Sequence, residues 1–242
     1  MMHGPQRASA QLRFAVPSEC SEIVRRGESQ IGLVPVAEIS RQNLDVVPGL
    51  GIACRGAVRS ILLISRRPVR QIRTLAADSS SRTSVDLAQA ILREAYGATP
   101  EVVSRPPKLE PMLDECDAAL LIGDSALVLD PYELPFEVLD LGAEWYALTG
   151  LPMVFALWAG RAPANIADLS DVLDSSFQFG CEHLNDIVDL EYERRGVSRE
   201  LAYEYLTRYI HFRIGDAEQK GLEAFLELTG LERQAAGLAQ IR

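Results

Sequence analysis

The sequence predicts an α/β protein of two lobes, with mostly parallel sheets and a helical C-terminal segment. Short apolar runs of strand length alternate with helical patterns from about residue 12 to residue 158, and only helical patterns follow Pro163. The right-handed crossover rule favours parallel neighbours in such a chain. Residues 67–151 could fold on themselves as one lobe, inserted between residues 1–66 and 152–242, which would complete the other. A ligand is expected between the lobes.

The predicted strands are apolar stretches that end at glycine, proline or polar turns. In chain order they cover residues 12–16, 30–34, 45–54, 58–65, 72–77, 101–103, 117–123, 136–139 and 152–158. Residues 61–64 are all Ile or Leu, which indicates a strand buried on both faces. The predicted helices cover residues 17–27, 36–41, 85–95, 109–116 and 143–149, and three more begin near Asn165, Ser198 and Asp216.

The stretch from Asp78 to Ser84, Asp-Ser-Ser-Ser-Arg-Thr-Ser, joins a predicted strand to a predicted helix. Such a helix start presents unpaired backbone N–H groups, the positive end of the helix dipole and a row of hydroxyls. These groups suit a carboxylate or a phosphate, so the stretch is a candidate anion site. The same serine and threonine side chains could instead only cap the helix.

A second candidate position follows the apolar strand over residues 117–123. In open α/β sheets, ligands gather at the carboxyl ends of strands, and Gly123 and Asp124 lie at this strand end. Asp124 could equally be the N-cap of the turn that follows it.

The charge balance excludes several classes of partner. The chain has 24 Lys and Arg against 34 Asp and Glu, a net charge of -10, which argues against nucleic acid or an anionic membrane as the partner. Local donors would therefore have to hold an anionic ligand.

The cysteines and histidines show no metal-binding pattern. The four cysteines are far apart in sequence and form no C-x-x-C pair, so neither zinc nor a redox motif is predicted. Reduced cysteines fit a cytoplasmic location. The first ten residues lack the apolar core of a signal peptide, and no window reaches the length of a membrane span.

Five strings of residues are distinctive through their order and spacing. They are Ile-Gly-Leu-Val-Pro at 31–35, Gly-Ala-Val-Arg-Ser at 56–60, Ser-Ser-Ser-Arg-Thr-Ser-Val at 79–85, Ala-Leu-Leu-Ile-Gly-Asp at 119–124, and Asp-Leu-Gly-Ala-Glu-Trp at 140–145 with Thr-Gly-Leu-Pro at 149–152. Together they resemble the chorismate dehydratase family of the futalosine route to menaquinone. The resemblance extends from about Leu12 to the C-terminus.

The resemblance implies a fold, a location and a reaction. The family is similar in fold to type II periplasmic binding proteins, and it works in the cytoplasm without metal or organic cofactor. Its reaction removes water from chorismate, a dicarboxylate, and gives 3-[(1-carboxyvinyl)oxy]benzoate. Because the ring becomes aromatic, the protein has only to orient two carboxylates, provide a proton acceptor near the ring and donate to the departing hydroxide.

The resemblance also implies the site residues. Ser60 matches the family's substrate-binding serine, and the turn ending at Ser84 matches its carboxylate-binding helix start. The expected catalytic residues are Ser60 and Asp124, with Asp124 contacting the ring hydroxyl. The expected substrate-binding residues are Ser60, Ser80, Ser81, Arg82, Thr83, Ser84 and Gly123.

Two roles in this site stay open at this point. Arg82 could also face solvent or pair with Asp78. No side chain stands out as the base, so one of the substrate's own carboxylates is the expected proton acceptor.

The chain departs from the family pattern at its start. The family opens with a strand ending in Tyr-Leu-Asn-Thr, and this sequence has no asparagine before Asn43. We expect that a start site chosen too far downstream, or a shortened form, accounts for the difference. Loss of an interior strand would leave ladder groups unpaired and uncover apolar surface, so this form is predicted to be poorly stable and weakly active or inactive.

Two other functions fit the same fold. One is a protein that binds a small anion without any chemistry, and the other is the related late enzyme of the same route, which acts on a futalosine derivative. The strings around residues 60 and 79–84 favour the dehydratase over the late enzyme.

Overall fold

The computed structural model describes residues 3–78, 82–161 and 166–231. The helices in that part of the chain are α1 Pro17–Arg25, α2 Val36–Gln42, α3 Arg82–Tyr96, α4 Leu109–Glu115, α5 Asp124–Leu127, α6 Leu141–Thr149, α7 Ile166–Glu182, α8 Leu184–Glu191, α9 Arg199–Glu204 and α10 Asp216–Thr229. The strands are β1 Gly32–Pro35, β2 Asp45–Cys54, β3 Ile61–Ser65, β4 Thr74–Asp78, β5 Glu101–Arg105, β6 Ala118–Ile122, β7 Glu137–Asp140, β8 Met153–Gly160 and β9 His211–Arg213. A π-helix, Tyr205–Tyr209, continues α9.

The first sheet has four strands in the order β1-β8-β2-β9, and each pairing in it is antiparallel. Its long strand β2 is irregular, because its register against β8 shifts between Val46 and Gly51. Pro48 cannot donate a ladder hydrogen bond and Gly49 has a φ of 96°, so the chain bulges there.

The second sheet has five strands in the order β5-β4-β6-β3-β7. The pairs of β4 with β5 and with β6 are parallel, and β3 is antiparallel to both β6 and β7. Residues 61–64 of β3 are buried, as their unbroken apolar sequence predicts.

The α/β fold is confirmed, but the expectation of mostly parallel sheets is wrong. The crossover rule correctly favours parallel pairing for β4 with β5 and with β6, which α3 and α4 connect within one sheet. It does not constrain β3 and β7, which join this sheet to the other. In the first sheet β1 and β2 do run in one direction across α2, yet β8 returns from the second sheet and lies antiparallel between them.

Two local predictions are also corrected. Residues 11–16 form no strand, and Phe14 and Val16 expose 72% and 53% of their surfaces. This segment and β1 both line an apolar cavity of about 540 Å³. Because the cavity lies between them, the backbone of residues 11–16 has no strand beside it to pair with. The C-terminal segment is not wholly helical, because β9 pairs with β2; three residues are too few to show an alternating pattern.

The division of the chain into lobes stays a prediction, and the sheets bear on its boundaries. The first sheet draws its strands from residues 32–54 and 153–213, and the second from residues 61–140. Strand β3 therefore belongs to the second sheet, although the predicted boundary at residue 66 assigned it to the first lobe. A boundary between Cys54 and Ile61 fits the sheets better.

A continuous cluster of buried apolar residues joins the two sheets. It includes Leu157 from the first sheet, Leu63 and Leu120 from the second, and Leu87 from α3. Helix α3 begins and ends close to the predicted bounds, because its buried residues recur at helical spacing and Gly97, with a φ of 66°, stops it. Within the described residues, every helix is too short or too polar to cross a membrane.

Candidate functional site

A tight turn ahead of β3 carries Ser60. Gly56 and Arg59 in this turn have positive φ angles of 91° and 66°. Since the left-handed region is unfavourable for a residue with a Cβ, the surroundings must hold Arg59 in place. The Asp140 carboxylate does so, accepting hydrogen bonds from the backbone N–H groups of Val58 (2.9 Å) and Arg59 (2.6 Å). These contacts fix the backbone directly before Ser60.

The same two side chains tie the turn to its neighbours. The Arg59 guanidinium donates to the carbonyl oxygens of Ala126 (3.3 Å) and Leu129, which lie at the end of α5 and just after it. Asp140 also accepts from two backbone N–H groups at the start of α6, both at 3.0 Å. The position of Ser60 is thus coupled to α5 and α6.

The structure brings two of the predicted site residues, Ser60 and Gly123, together. The Gly123 N–H donates to the Ser60 carbonyl oxygen at 2.8 Å. Gly123 has a φ of 59° and a ψ of -139°, a conformation that suits glycine, and no atom lies within 4 Å of the place where a Cβ would stand. Open space therefore borders the pair.

The Ser60 hydroxyl has a partner that the sequence did not predict. Its Oγ lies 2.9 Å from the phenolic oxygen of Tyr205, the first residue of the π-helix. Ser60 is only 4% exposed. Burial raises the pKa of Tyr205, with a smaller upward contribution from the charge of Asp124, whereas the hydrogen bond to Ser60 lowers it. The net pKa shift is upward, so Tyr205 is a neutral phenol at physiological pH.

Asp124 lies at the end of β6, as predicted, and is the first residue of α5. The N-cap of that helix is Gly123, so the alternative role of Asp124 as N-cap is wrong. Its carboxylate accepts from Arg195 at 3.0 Å, and both side chains are 55% exposed. An exposed pair of this kind adds little stability and leaves the carboxylate accessible to a ligand.

The start of α3 faces the start of α2. The Thr83 Oγ1 accepts a hydrogen bond of 3.2 Å from the Ala37 N–H, and Thr83 and Ser84 are both buried. A threonine hydroxyl that accepts one hydrogen bond still has its own proton to donate. The predicted binding residues Ser80 and Ser81 lie outside the described part of the chain.

Arg82, for which solvent exposure and a pairing with Asp78 were both left open, has a partner in Glu38 of α2. Its side chain is 63% exposed, and its guanidinium lies 3.2 Å from the carboxylate of Glu38 in α2. Glu38 is buried and also pairs with Arg41 at 3.2 Å. To bind a substrate carboxylate, Arg82 would have to share its donors between that group and Glu38.

Ser60 and Thr83, two of the predicted site residues, lie where the two sheets meet. The Ser60–Tyr205 hydrogen bond joins the turn before β3 to the helix before β9, hence the second sheet to the first. The Thr83–Ala37 hydrogen bond joins the helix after β4 to the helix before β2 in the same way. A ligand between the sheets would meet donors from both sides.

The chemistry of these groups is that of binding and orientation. Ser60, Thr83 and Tyr205 offer neutral hydroxyls, and the nearby charged groups Asp124 and Arg82 are each paired. Among the described residues, no three His, Cys, Asp or Glu side chains are grouped so as to hold a metal ion. Hydroxyl donors in a partly desolvated site can hold carboxylate oxygens and stabilise a departing oxygen.

The apolar cavity of about 540 Å³ lies elsewhere. It opens beside the first sheet and is lined by residues of α1, β1 and α7. It contains none of the predicted site residues.

Sequence reasoning missed Tyr205, Asp140 and Glu38 as parts of the site. Tyr205 is 145 positions from Ser60, so no local pattern links them. Asp140 did carry a signal, because it stands at the start of the string at 140–145 and lies three residues before a predicted helix. Glu38 has the position of an ordinary first-turn acidic residue of α2.

The fold is that of the periplasmic-binding-protein class. The crystal structure of protein AF1704 from Archaeoglobus fulgidus superposes with a TM-score of 0.70 at 16% identity, covering 93% of this chain and 86% of that one. The aliphatic sulphonate binding protein SsuA from Escherichia coli gives a TM-score of 0.61 at 12% identity, covering 94% and 79%. At these identities the likeness concerns the fold alone.

Sequence comparison then gives the family. A family model described as menaquinone biosynthesis matches residues 1–230. A chorismate dehydratase from Thermus thermophilus is 32% identical over 236 residues, which cover 90% of this chain and 86% of that protein. The chain belongs to the menaquinone biosynthesis family, as the resemblance predicts.

Proposed function

We propose that this chain is a chorismate dehydratase of menaquinone biosynthesis, a hydro-lyase that converts chorismate to 3-[(1-carboxyvinyl)oxy]benzoate. The observation that carries the proposal is the 32% identity with the chorismate dehydratase of Thermus thermophilus, sustained over 236 residues. Neutral hydroxyls at the junction of the sheets support it, since a dehydration that forms an aromatic ring needs orientation more than strong acids or bases. A cytoplasmic location remains part of this proposal.

In the proposed reaction a ring C–H bond and the bond to the ring hydroxyl break, a base takes the proton and passes it to the departing hydroxide, and one water leaves. Asp124 is assigned as the polar partner of the ring hydroxyl in the bound substrate, where its carboxylate accepts the hydroxyl hydrogen. The negative charge that develops on the departing oxygen requires a donor instead. No base is assigned to the protein, so one of the substrate's own carboxylates takes the proton. A rate that rises with the ionisation of a protein group near neutral pH would contradict that assignment.

The carboxylates are assigned to the hydroxyls and amides on the two sides of the junction. Ser60 and Thr83 bind carboxylate oxygens in this proposal, together with Ser80, Ser81 and Ser84. Gly123 provides the open space beside Ser60, and Arg82 adds a positive charge at the rim. We further propose that each sheet belongs to one lobe, with the diacid held between the lobes.

The test is to incubate the protein with chorismate and to follow the aromatic product by absorbance and by NMR. The assay uses the 242-residue chain and, in parallel, the protein purified from its source organism. Formation of the enol-ether benzoate in either sample supports the proposal, and Ser60→Ala should lower kcat/KM by about tenfold or more. Tight chorismate binding without conversion would instead indicate a binding protein, and a lack of binding would exclude both functions.

A further inference from the structure

The Ser60 hydroxyl is held more firmly than a binding serine on a surface turn would be. Asp140 and Arg59 fix the backbone before it, and the Gly123 N–H fixes its own carbonyl. What remains to be set is the side-chain conformation, namely the Cα–Cβ rotation that places Oγ and the Cβ–Oγ rotation that directs the proton. The Tyr205 phenol, 2.9 Å from that oxygen, is placed to set it.

The placement of Tyr205 follows from the fold around it. The π-helix Tyr205–Tyr209 leads directly to β9, and Ala53 of β2 pairs with His211 of β9. The next residue of β2 is Cys54, which precedes the turn that carries Ser60. The pairing of β9 therefore brings Tyr205 to Ser60, and π-helical turns are frequent at functional sites.

The direction of the hydrogen bond follows from the chemistry of the two hydroxyls. A phenol is far more acidic than an aliphatic alcohol and is the better donor, whereas the serine oxygen is the better acceptor. If Tyr205 donates, the serine proton must point to another acceptor. Two hydroxyls in series also polarise each other, so the serine becomes a stronger donor.

We propose that Tyr205 is a positioning residue, which donates to Ser60 and thereby directs the Ser60 proton at a carboxylate oxygen of the substrate. The inference rests on the proposed function and names a residue that acts at the same site. Tyr205 itself need not touch the substrate. Its effect should therefore vanish when the Ser60 hydroxyl is absent.

The experiment is a double-mutant cycle with Tyr205→Phe and Ser60→Ala, measured as kcat/KM for chorismate. Tyr205→Phe keeps the ring and removes only the hydroxyl, and we expect it to lower kcat/KM by about five- to tenfold. In the Ser60→Ala background, Tyr205→Phe should cause no further loss. Tyr203→Phe is the control, because that tyrosine is 38% exposed one residue before the last residue of α9, and its activity should equal that of the unchanged protein.

Each outcome of the cycle decides the inference. Losses that multiply would show that Tyr205 acts independently of Ser60 and would overturn it, as would full activity of Tyr205→Phe. The melting temperatures of Tyr205→Phe and Tyr203→Phe are compared as well. If they are close, the loss of activity in Tyr205→Phe comes from the missing hydrogen-bond donor and not from a disturbed fold. If the unchanged protein does not convert chorismate, the proposed function fails first and the inference falls with it, a result distinct from failure of the cycle alone.

Discussion

At the residue scale, one carboxylate holds the Ser60 side of the candidate site in place. Asp140 accepts from two N–H groups of the turn before Ser60 and from two at the start of α6. A carboxylate can accept about four hydrogen bonds, and four backbone N–H groups donate to Asp140. The left-handed Arg59 persists because these bonds outweigh its strain, which is about 1–3 kcal/mol for such a residue.

Cys54, the last residue of β2, should make the protein less stable as the pH rises into the alkaline range. Burial raises the pKa of its thiol to about 12 from an ordinary value of 9.0, and the negative charge of Asp140 adds to the shift. Because the folded pKa is the higher one, the stabilisation is complete below about pH 9 and is lost as the pH rises toward about 12. The full difference is about 4 kcal/mol, of which about 2 kcal/mol is lost by about pH 10.5.

The measurement is the free energy of urea unfolding between about pH 8 and pH 10.5. The unchanged protein should lose about 2 kcal/mol more than Cys54→Ala over this range. Cys181→Ala is the matched control, because Cys181 is exposed; it should follow the unchanged protein. If the free energy of unfolding fell equally with pH in Cys54→Ala and in the unchanged protein, the raised pKa of the buried Cys54 thiol would be contradicted.

At the element scale, α10 is placed by a close approach to the turn before β8. A Cβ added to Gly221 would stand 1.9 Å from the carbonyl oxygen of Pro152. Farther along this helix Phe225 packs edge-on against Trp145 of α6, with the ring centroids 6.2 Å apart. The Trp145 indole N–H donates to the same Pro152 carbonyl at 3.2 Å. The Pro152 carbonyl oxygen is thus contacted both by α10, at Gly221, and by α6, at Trp145.

Gly221→Ala should destabilise the protein by about 3 kcal/mol or more, because backbone must move to admit the methyl group. Gly180→Ala is the matched control, since Gly180 also lies within a helix but has no atom within 4 Å of its Cβ position. That change should be neutral or stabilising by up to about 1 kcal/mol. The free energy of urea unfolding is measured for both variants. Similar values for the two would refute the close approach of Gly221 to the Pro152 carbonyl oxygen.

The elements that the sequence predicted well are those with a local cause. The buried run of β3 and the spacing of Leu87 and Ile91 in α3 depend on nearby residues alone. Strand direction in β3 and β7 depends on how the chain passes between the sheets, which no local pattern contains. The error at residues 11–16 has the same origin, because a strand exists only where another strand lies beside it.

At the scale of the whole molecule, the buried core and the candidate site lie at the same junction. The main apolar cluster contains residues of both sheets, so the sheets pack against each other and are not merely connected by a flexible linker. The Ser60–Tyr205 and Thr83–Ala37 hydrogen bonds cross the same boundary. A ligand bound to both pairs would therefore interact with both units at once.

The candidate site shows how far sequence reasoning reaches at this scale. Ser60, Gly123 and Asp124 were predicted from strings and strand ends, and they do lie close together. The contacts of Tyr205 and Glu38 depend on the packing of elements that are distant in sequence. Such contacts follow from the tertiary fold, and the local sequence around each residue gives no sign of them.

The most direct test of the central claim is the crystal structure of the protein with 3-[(1-carboxyvinyl)oxy]benzoate bound. We predict density for the diacid between the sheets, with its carboxylate oxygens within hydrogen-bond distance of Ser60 and of the helix start at Thr83. Density that lies only in the apolar cavity beside α1, or a Ser60 hydroxyl that turns away from the bound diacid, would contradict the account.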